Sequence, residues 1–92
     1  MRIVEEYNDL QVNLLEITSA KYIGDFAIRI SFKDGISRLI DFKLFLESSL
    51  HPSIRKYLDE KKFKKFDLID GNLNWNDYDL IFPIDNLYQG RL

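Results

Sequence analysis

The chain has 92 residues, 46% hydrophobic and 30% charged, with a formal net charge of −2. That length holds one domain, and that balance excludes a disordered chain, which could not bury enough apolar surface to offset its ordering entropy. No cysteine is present, so disulfides, thiolate metal sites, thiol nucleophiles and thiol redox switches are excluded together.

No stretch approaches the ~18 consecutive apolar residues of a membrane span. Met1 to Glu6 carries acids where a signal peptide has an apolar run. The expectation is a cytoplasmic, soluble protein with no membrane role, folded as a single domain over residues 1–92. Residues 1–12 are weakly patterned and read as a mobile arm or a strand.

Leu14 to Tyr22 suits a strand, with Leu15 and Ile17 on one face and Ala20 and Tyr22 on the other. The change of face predicts a bulge near Ser19, and Gly24-Asp25 then turns the chain. From Phe26 to Lys33 the period is strictly two: Phe26, Ile28, Ile30 and Phe32 alternate with Ala27, Arg29, Ser31 and Lys33, a half-buried strand. Asp34-Gly35 is a favoured hairpin turn, and Ile36 to Ile40 returns. A two-residue loop sets Leu39 opposite Ile30, whereas a three-residue loop sets Ile36 opposite Phe32; the two-residue loop is preferred.

Asp41 is placed to cap a short helix in which Phe42, Phe45 and Leu46 share a face. Pro52 opens a second helix, where its missing N–H costs nothing, with Ile54, Tyr57 and Leu58 as the buried stripe. Phe66 to Asp70 reads as a fourth strand, Asp70-Gly71 as a hairpin turn, and Leu73 and Trp75 as the apolar face of a fifth strand whose other face carries Asn72, Asn74 and Asn76. Pro83 opens a last helical turn with Ile84, Leu87 and Tyr88 inward, and Gly90 ends it. Strands joined by tight turns are antiparallel, and one face must be covered. The expected fold class is α+β: an antiparallel sheet of hairpins, about five strands, covered by short helices.

Three blocks in this order resemble a family. They are Phe32-x-Asp34-Gly35 with Ile40-Asp41, then Phe63-x-x-Phe66-x-Leu68-x-x-Gly71-x-Leu73-x-Trp75, then Asp79-Leu80-x-x-Pro83-x-x-x-Leu87-Tyr88. Over roughly residues 14–90 the chain is similar to DUF2442, a small bacterial domain of unknown function. Ser48 to Lys62 departs from the family pattern in being longer and more basic. The resemblance implies a compact α+β domain. It also implies a gene next to that of another small protein, as in a regulatory or toxin–antitoxin-like pair. It carries no catalytic residues, and none are expected.

The charge is unevenly spread. Residues 55–65 carry six basic side chains (Arg55, Lys56, Lys61, Lys62, Lys64 and Lys65) against two acids, whereas residues 66–92 carry five Asp against one Arg. Lys61-Lys62-Phe63-Lys64-Lys65-Phe66 interleaves ammonium groups with rings, as single-stranded nucleic-acid grooves do. The alternative is a solvated turn whose two Phe anchor it to the core, which the negative net charge favours. These six residues are the candidate contacts for nucleic acid or an acidic partner. His51 with Ser48, Ser49 and Asp59 has the residue types of a hydrolase triad but no nucleophile elbow or oxyanion loop. A surface or helix-capping role is the expectation. Asp70 to Asp79 is rich in oxygen ligands, yet the calcium-loop positions for Gly and Glu hold Trp75 and Ile81, so a hairpin is expected and no metal or other cofactor. The functional expectation is a non-enzymatic module that binds a small protein partner or a second copy of itself; nucleic-acid binding is the second reading and an enzyme the third.

Overall fold

The structure, a computed structural model, describes residues 15–92. The arm-or-strand reading of residues 1–12 lies outside the described residues. In chain order the elements are β1 (Ile17–Gly24), β2 (Ala27–Phe32), β3 (Ser37–Asp41), α1 (Lys43–Ser48), α2 (Pro52–Arg55), a tighter helical turn (Lys56–Leu58), α3 (Glu60–Phe63), β4 (Phe66–Ile69), β5 (Asn72–Trp75), β6 (Leu80–Ile81) and α4 (Ile84–Gln89). The class is α+β, as expected. The single sheet of about five strands is corrected to two three-stranded antiparallel sheets, β1-β2-β3 and β4-β5-β6. Between them Ile17 N–H donates to Gly71 O at 2.8 Å, a point contact where a continuous ladder would have made one sheet.

Both sheets bury their apolar faces in one core. Ile28, Ile30 and Phe32 come from β2, Leu73 and Trp75 from β5, and Phe42, Leu46 and Phe63 from the helical segment. Rings fill its centre: Phe42 lies 5.5 Å from Phe63, 5.9 Å from Trp75 and 5.2 Å from Phe82, and Phe63 stacks on Trp75 at 5.5 Å. The indole N–H of Trp75 donates to Phe63 O at 2.6 Å. Aromatic side chains of this kind are the largest apolar area a small domain can hide. Phe63 and Phe66 are therefore core anchors, Phe63 fully buried and Phe66 half-buried.

The bulge falls where the face changes. Ile17 pairs with Phe32 and Ser19 with Ser31, so Thr18 is the extra residue. The first turn sits one residue later than expected: Gly24 pairs with Ala27, leaving Asp25 and Phe26 in the loop at φ 51° and 65°. Phe26 thus leaves the strand, but its ring still packs 5.3 Å from Phe63, which compensates the unusual backbone.

The β2–β3 register is also corrected. Ile30 faces Arg38, not Leu39, and Phe32 N–H donates to Ile36 O at 2.8 Å across a three-residue loop. Gly35 takes φ 94° at the third loop position, the left-handed residue that such loops need. Asp34 Oδ1 accepts from Ile36 N–H at 2.9 Å. The one-residue slip exchanges faces. Leu39 turns outward, 55% exposed, and Arg38 turns to the core side. There its guanidinium donates to Tyr88 O at 2.8 Å and lies 5.8 Å from the Tyr88 ring, fastening α4 against β3.

In the second sheet, Ile69 faces Asn72 across Asp70-Gly71, at φ 52° and 79°, the paired left-handed residues of a type I′ turn. Pro83 precedes α4, and Gly90 closes it at φ 74°. The expected cap is corrected by one residue: Phe42 holds the N-cap position of α1, and Asp41, just before it, accepts from Lys43 N–H through Oδ1 at 2.9 Å.

Candidate functional site

The basic segment does not act as one patch. Lys56, Lys62 and Lys65 line a single open cleft of about 440 Å³ together with Tyr57, Asp67 and Asn76. Two backbone devices bring them there. Asp59 Oδ1 accepts from Lys61 N–H at 3.1 Å and caps α3. Lys65 N–H then donates to Lys62 O at 3.2 Å, and this closing turn sets Lys62 and Lys65 three residues apart on one side. Arg55 is directed elsewhere: its guanidinium donates to Glu47 O at 2.7 Å and Ser49 O at 3.2 Å, tying the end of α1 to α2. Lys61 and Lys64 are exposed but do not line the cleft.

Asp79 organises the cleft's back wall. Its Oδ2 accepts from Lys56 Nζ at 2.6 Å and from the Tyr57 hydroxyl at 2.8 Å. The hydrogen bond from Lys56, seconded by Tyr57, holds the Asp79 carboxyl below the usual carboxylate range. Burial, with the bond to Asp79, pushes the Tyr57 hydroxyl up to about 12. Two further tyrosines bond carboxylates across the fold, Tyr22 to Glu60 at 2.5 Å and Tyr88 to Asp34 at 2.6 Å. The Tyr88 hydroxyl, with the Ile36 N–H, lowers the Asp34 carboxyl in the same way.

A pH dependence follows. Asp34 and Asp79 hold their protons more weakly folded than unfolded, so the unfolded chain takes up protons first as acid is added. Their stabilisation is complete above the ordinary carboxylate value of 3.8 and is lost as pH falls through the lower folded values. Tyr57 has the opposite sign: its contribution is complete below 10.0 and fades as pH rises towards about 12. Urea midpoints measured against pH should fall at both ends, and Asp79→Asn should flatten both limbs. An unchanged profile in that variant would count against the Asp79 network.

A second, shallower cleft of about 320 Å³ is lined by Asp41, Leu44, Phe45, Ser48, Gly90 and Leu92. Leu44 is 75% exposed although it lies on α1. Phe45 is half-buried, its ring 5.0 Å from Phe82. Leu39 stands two residues before Asp41 on the exposed face of β3, adding apolar surface.

The triad types are not assembled. The Ser48 hydroxyl donates to Phe45 O, Ser49 Oγ accepts from His51 N–H, and Asp59 caps α3. His51 is exposed and caps α2 through its carbonyl, which accepts from Ile54 and Arg55 N–H. Among the described residues no three of His, Asp and Glu gather as a metal site, and no helix is long and apolar enough to cross a membrane. The oxygen-rich Asp70 to Asp79 run is a hairpin and turn, with Leu73 and Trp75 buried.

The fold is thus a small α+β domain that carries, among its described residues, a cleft lined by Lys56, Lys62 and Lys65 and a shallower one lined by Leu44, Phe45 and Leu92 beside Asp41 and Ser48. The family model for "Protein of unknown function (DUF2442)" matches residues 17–92, and the chain belongs to that family. No curated protein and no solved structure is significantly similar to it.

Proposed function

We propose that the chain is a non-enzymatic interaction module that binds a small protein partner, in a regulatory or antitoxin-like pair. The observation that carries this is the shallower cleft: Leu44, 75% exposed, shares one concavity with Phe45 and Leu92, beside Asp41 and Ser48. Isolated exposed leucines are ordinary, but apolar side chains converging on one cleft mark an interaction surface. Asp41 on its rim suits a partner presenting an apolar side chain beside a basic one. Nucleic-acid binding through residues 55–65 has less support. Arg55 is engaged with backbone carbonyls, Lys56 is paired with Asp79, and Asp67 stands in the cleft.

The product of any small gene adjacent to this chain's own is the partner to test. Co-expressed, it should be captured by the tagged chain, and Leu44→Asp should weaken capture about tenfold or more. Because Leu44 is exposed, that variant should keep its fold within about 0.5 kcal/mol, read by urea denaturation. Capture unaffected by Leu44→Asp, or no capture at all, overturns the proposal. A chain that instead forms a Leu44-dependent dimer would transfer the surface to self-association.

A further inference from the structure

We infer that the basic cleft is a binding site for a small phosphomonoester bearing a free hydroxyl group, the chemistry shared by sugar phosphates and nucleoside monophosphates. The cleft holds about 440 Å³, in the range of small-ligand sites and roomier than a bare phosphate requires. Three of its six lining residues are lysines. Lys62 and Lys65 share one side of the turn after α3, and neither makes an ion pair among the described residues. Lys56 is different: Asp79 fixes its ammonium at 2.6 Å, and the group lies 5.4 Å from the centre of the Tyr57 ring. An ammonium has three donors, so Lys56 keeps donors for a ligand in a place already set.

Two unpaired ammonium groups match a phosphomonoester of roughly −1.5 to −2 charge with three acceptor oxygens. Asp67 supplies the second half of the specificity. An ionised carboxylate only accepts hydrogen bonds, so in this cleft it opposes a second phosphate and receives a hydroxyl. That disfavours a nucleic-acid strand, whose successive phosphates would meet it, and selects a ligand with one phosphate and a hydroxyl beyond. Asn76, whose side chain also bonds Asp79, is a further polar group in the lining. This site is separate from the shallower cleft and needs no protein partner.

Isotope-labelled full-length chain is titrated with ribose 5-phosphate, AMP, inorganic phosphate and an oligothymidylate, reading amide shifts. Ribose 5-phosphate or AMP should saturate shifts in residues 56–67 and at Asn76, each more tightly than inorganic phosphate. Stronger AMP binding would assign a nucleotide, and stronger ribose 5-phosphate binding a sugar phosphate. Lys62→Ala with Lys65→Ala should weaken binding about tenfold or more. Lys61→Ala with Lys64→Ala removes the same charge outside the cleft and should leave affinity unchanged. Asp67→Asn should lower affinity for ribose 5-phosphate while raising that for inorganic phosphate. The proposal is overturned by no saturable shift with the three small ligands, by equal loss in both double variants, by Asp67→Asn strengthening every ligand alike, or by binding confined to the oligothymidylate with steep salt dependence.

Discussion

Replacing Trp75 with alanine is expected to cost about 3–5 kcal/mol, a large share of what a domain of this size holds. Trp75 is fully buried and packs against five other rings. Phe42, Phe63, Phe66 and Phe82 lie 5.5 to 5.9 Å away, and Tyr57 lies at 6.5 Å. Alanine would open a cavity among stiff rings that cannot collapse without losing their own contacts. It would also leave Phe63 O without its donor. Trp75→Phe keeps most of the apolar area but not that hydrogen bond and should cost about 1–3 kcal/mol. Urea denaturation followed by circular dichroism checks both. A loss below about 1 kcal/mol for the alanine variant would contradict this view of the core.

The second large effect is expected at Asn74, the one buried polar side chain among the described residues, 2% exposed. Its Oδ1 accepts from Tyr78 N–H at 2.5 Å. That bond holds a turn in which Asn76, Asp77 and Tyr78 all adopt positive φ, at 51°, 56° and 71°. Left-handed backbone costs a non-glycine residue about 1–2 kcal/mol, so the turn persists because its surroundings impose it. The turn delivers Asp79 to Lys56 and Tyr57 and returns Leu80 to pair with Trp75. Asn74→Ala leaves the Tyr78 N–H unsatisfied and should cost about 1–3 kcal/mol, and the Tyr78 amide should exchange with solvent much faster. Stability within about 0.5 kcal/mol of the parent and an unchanged Tyr78 amide would refute this role for Asn74.

The elements that could be read from sequence are those written in local chemistry. The alternation in β2, the two Asp-Gly turns, the bulge before Ser19, Pro83 and Gly90 each act within a few residues, and each appears. What escaped was set by tertiary packing. The strand β6 is two residues long and follows a turn without glycine; its reason to exist is Trp75 beside it. The loop at Asp34-Gly35 satisfied two registers on sequence grounds. The three-residue loop puts Gly35 at φ 94° and accompanies Arg38 reaching Tyr88, 50 residues away. Two sheets in place of one follow from a core of rings that needs covering from both sides. In the basic segment the charges were evident, but which of them meet in one cleft was not. That depends on Arg55 turning to Glu47 O and on Asp79 arriving from the turn after β5. The shallower cleft left no signal, because Leu44 and Leu92 are far apart in sequence and Leu39 faces out only in the three-residue register.

One ring-filled interior makes the two sheets a single cooperative unit and leaves the clefts outside it free for binding. Native-state hydrogen exchange on the central strands β2 and β5 tests this most directly. Their most protected amides should open with the same free energy, equal to that of global unfolding. Exchange of β5 through a separate, cheaper opening while β2 stays closed would contradict it.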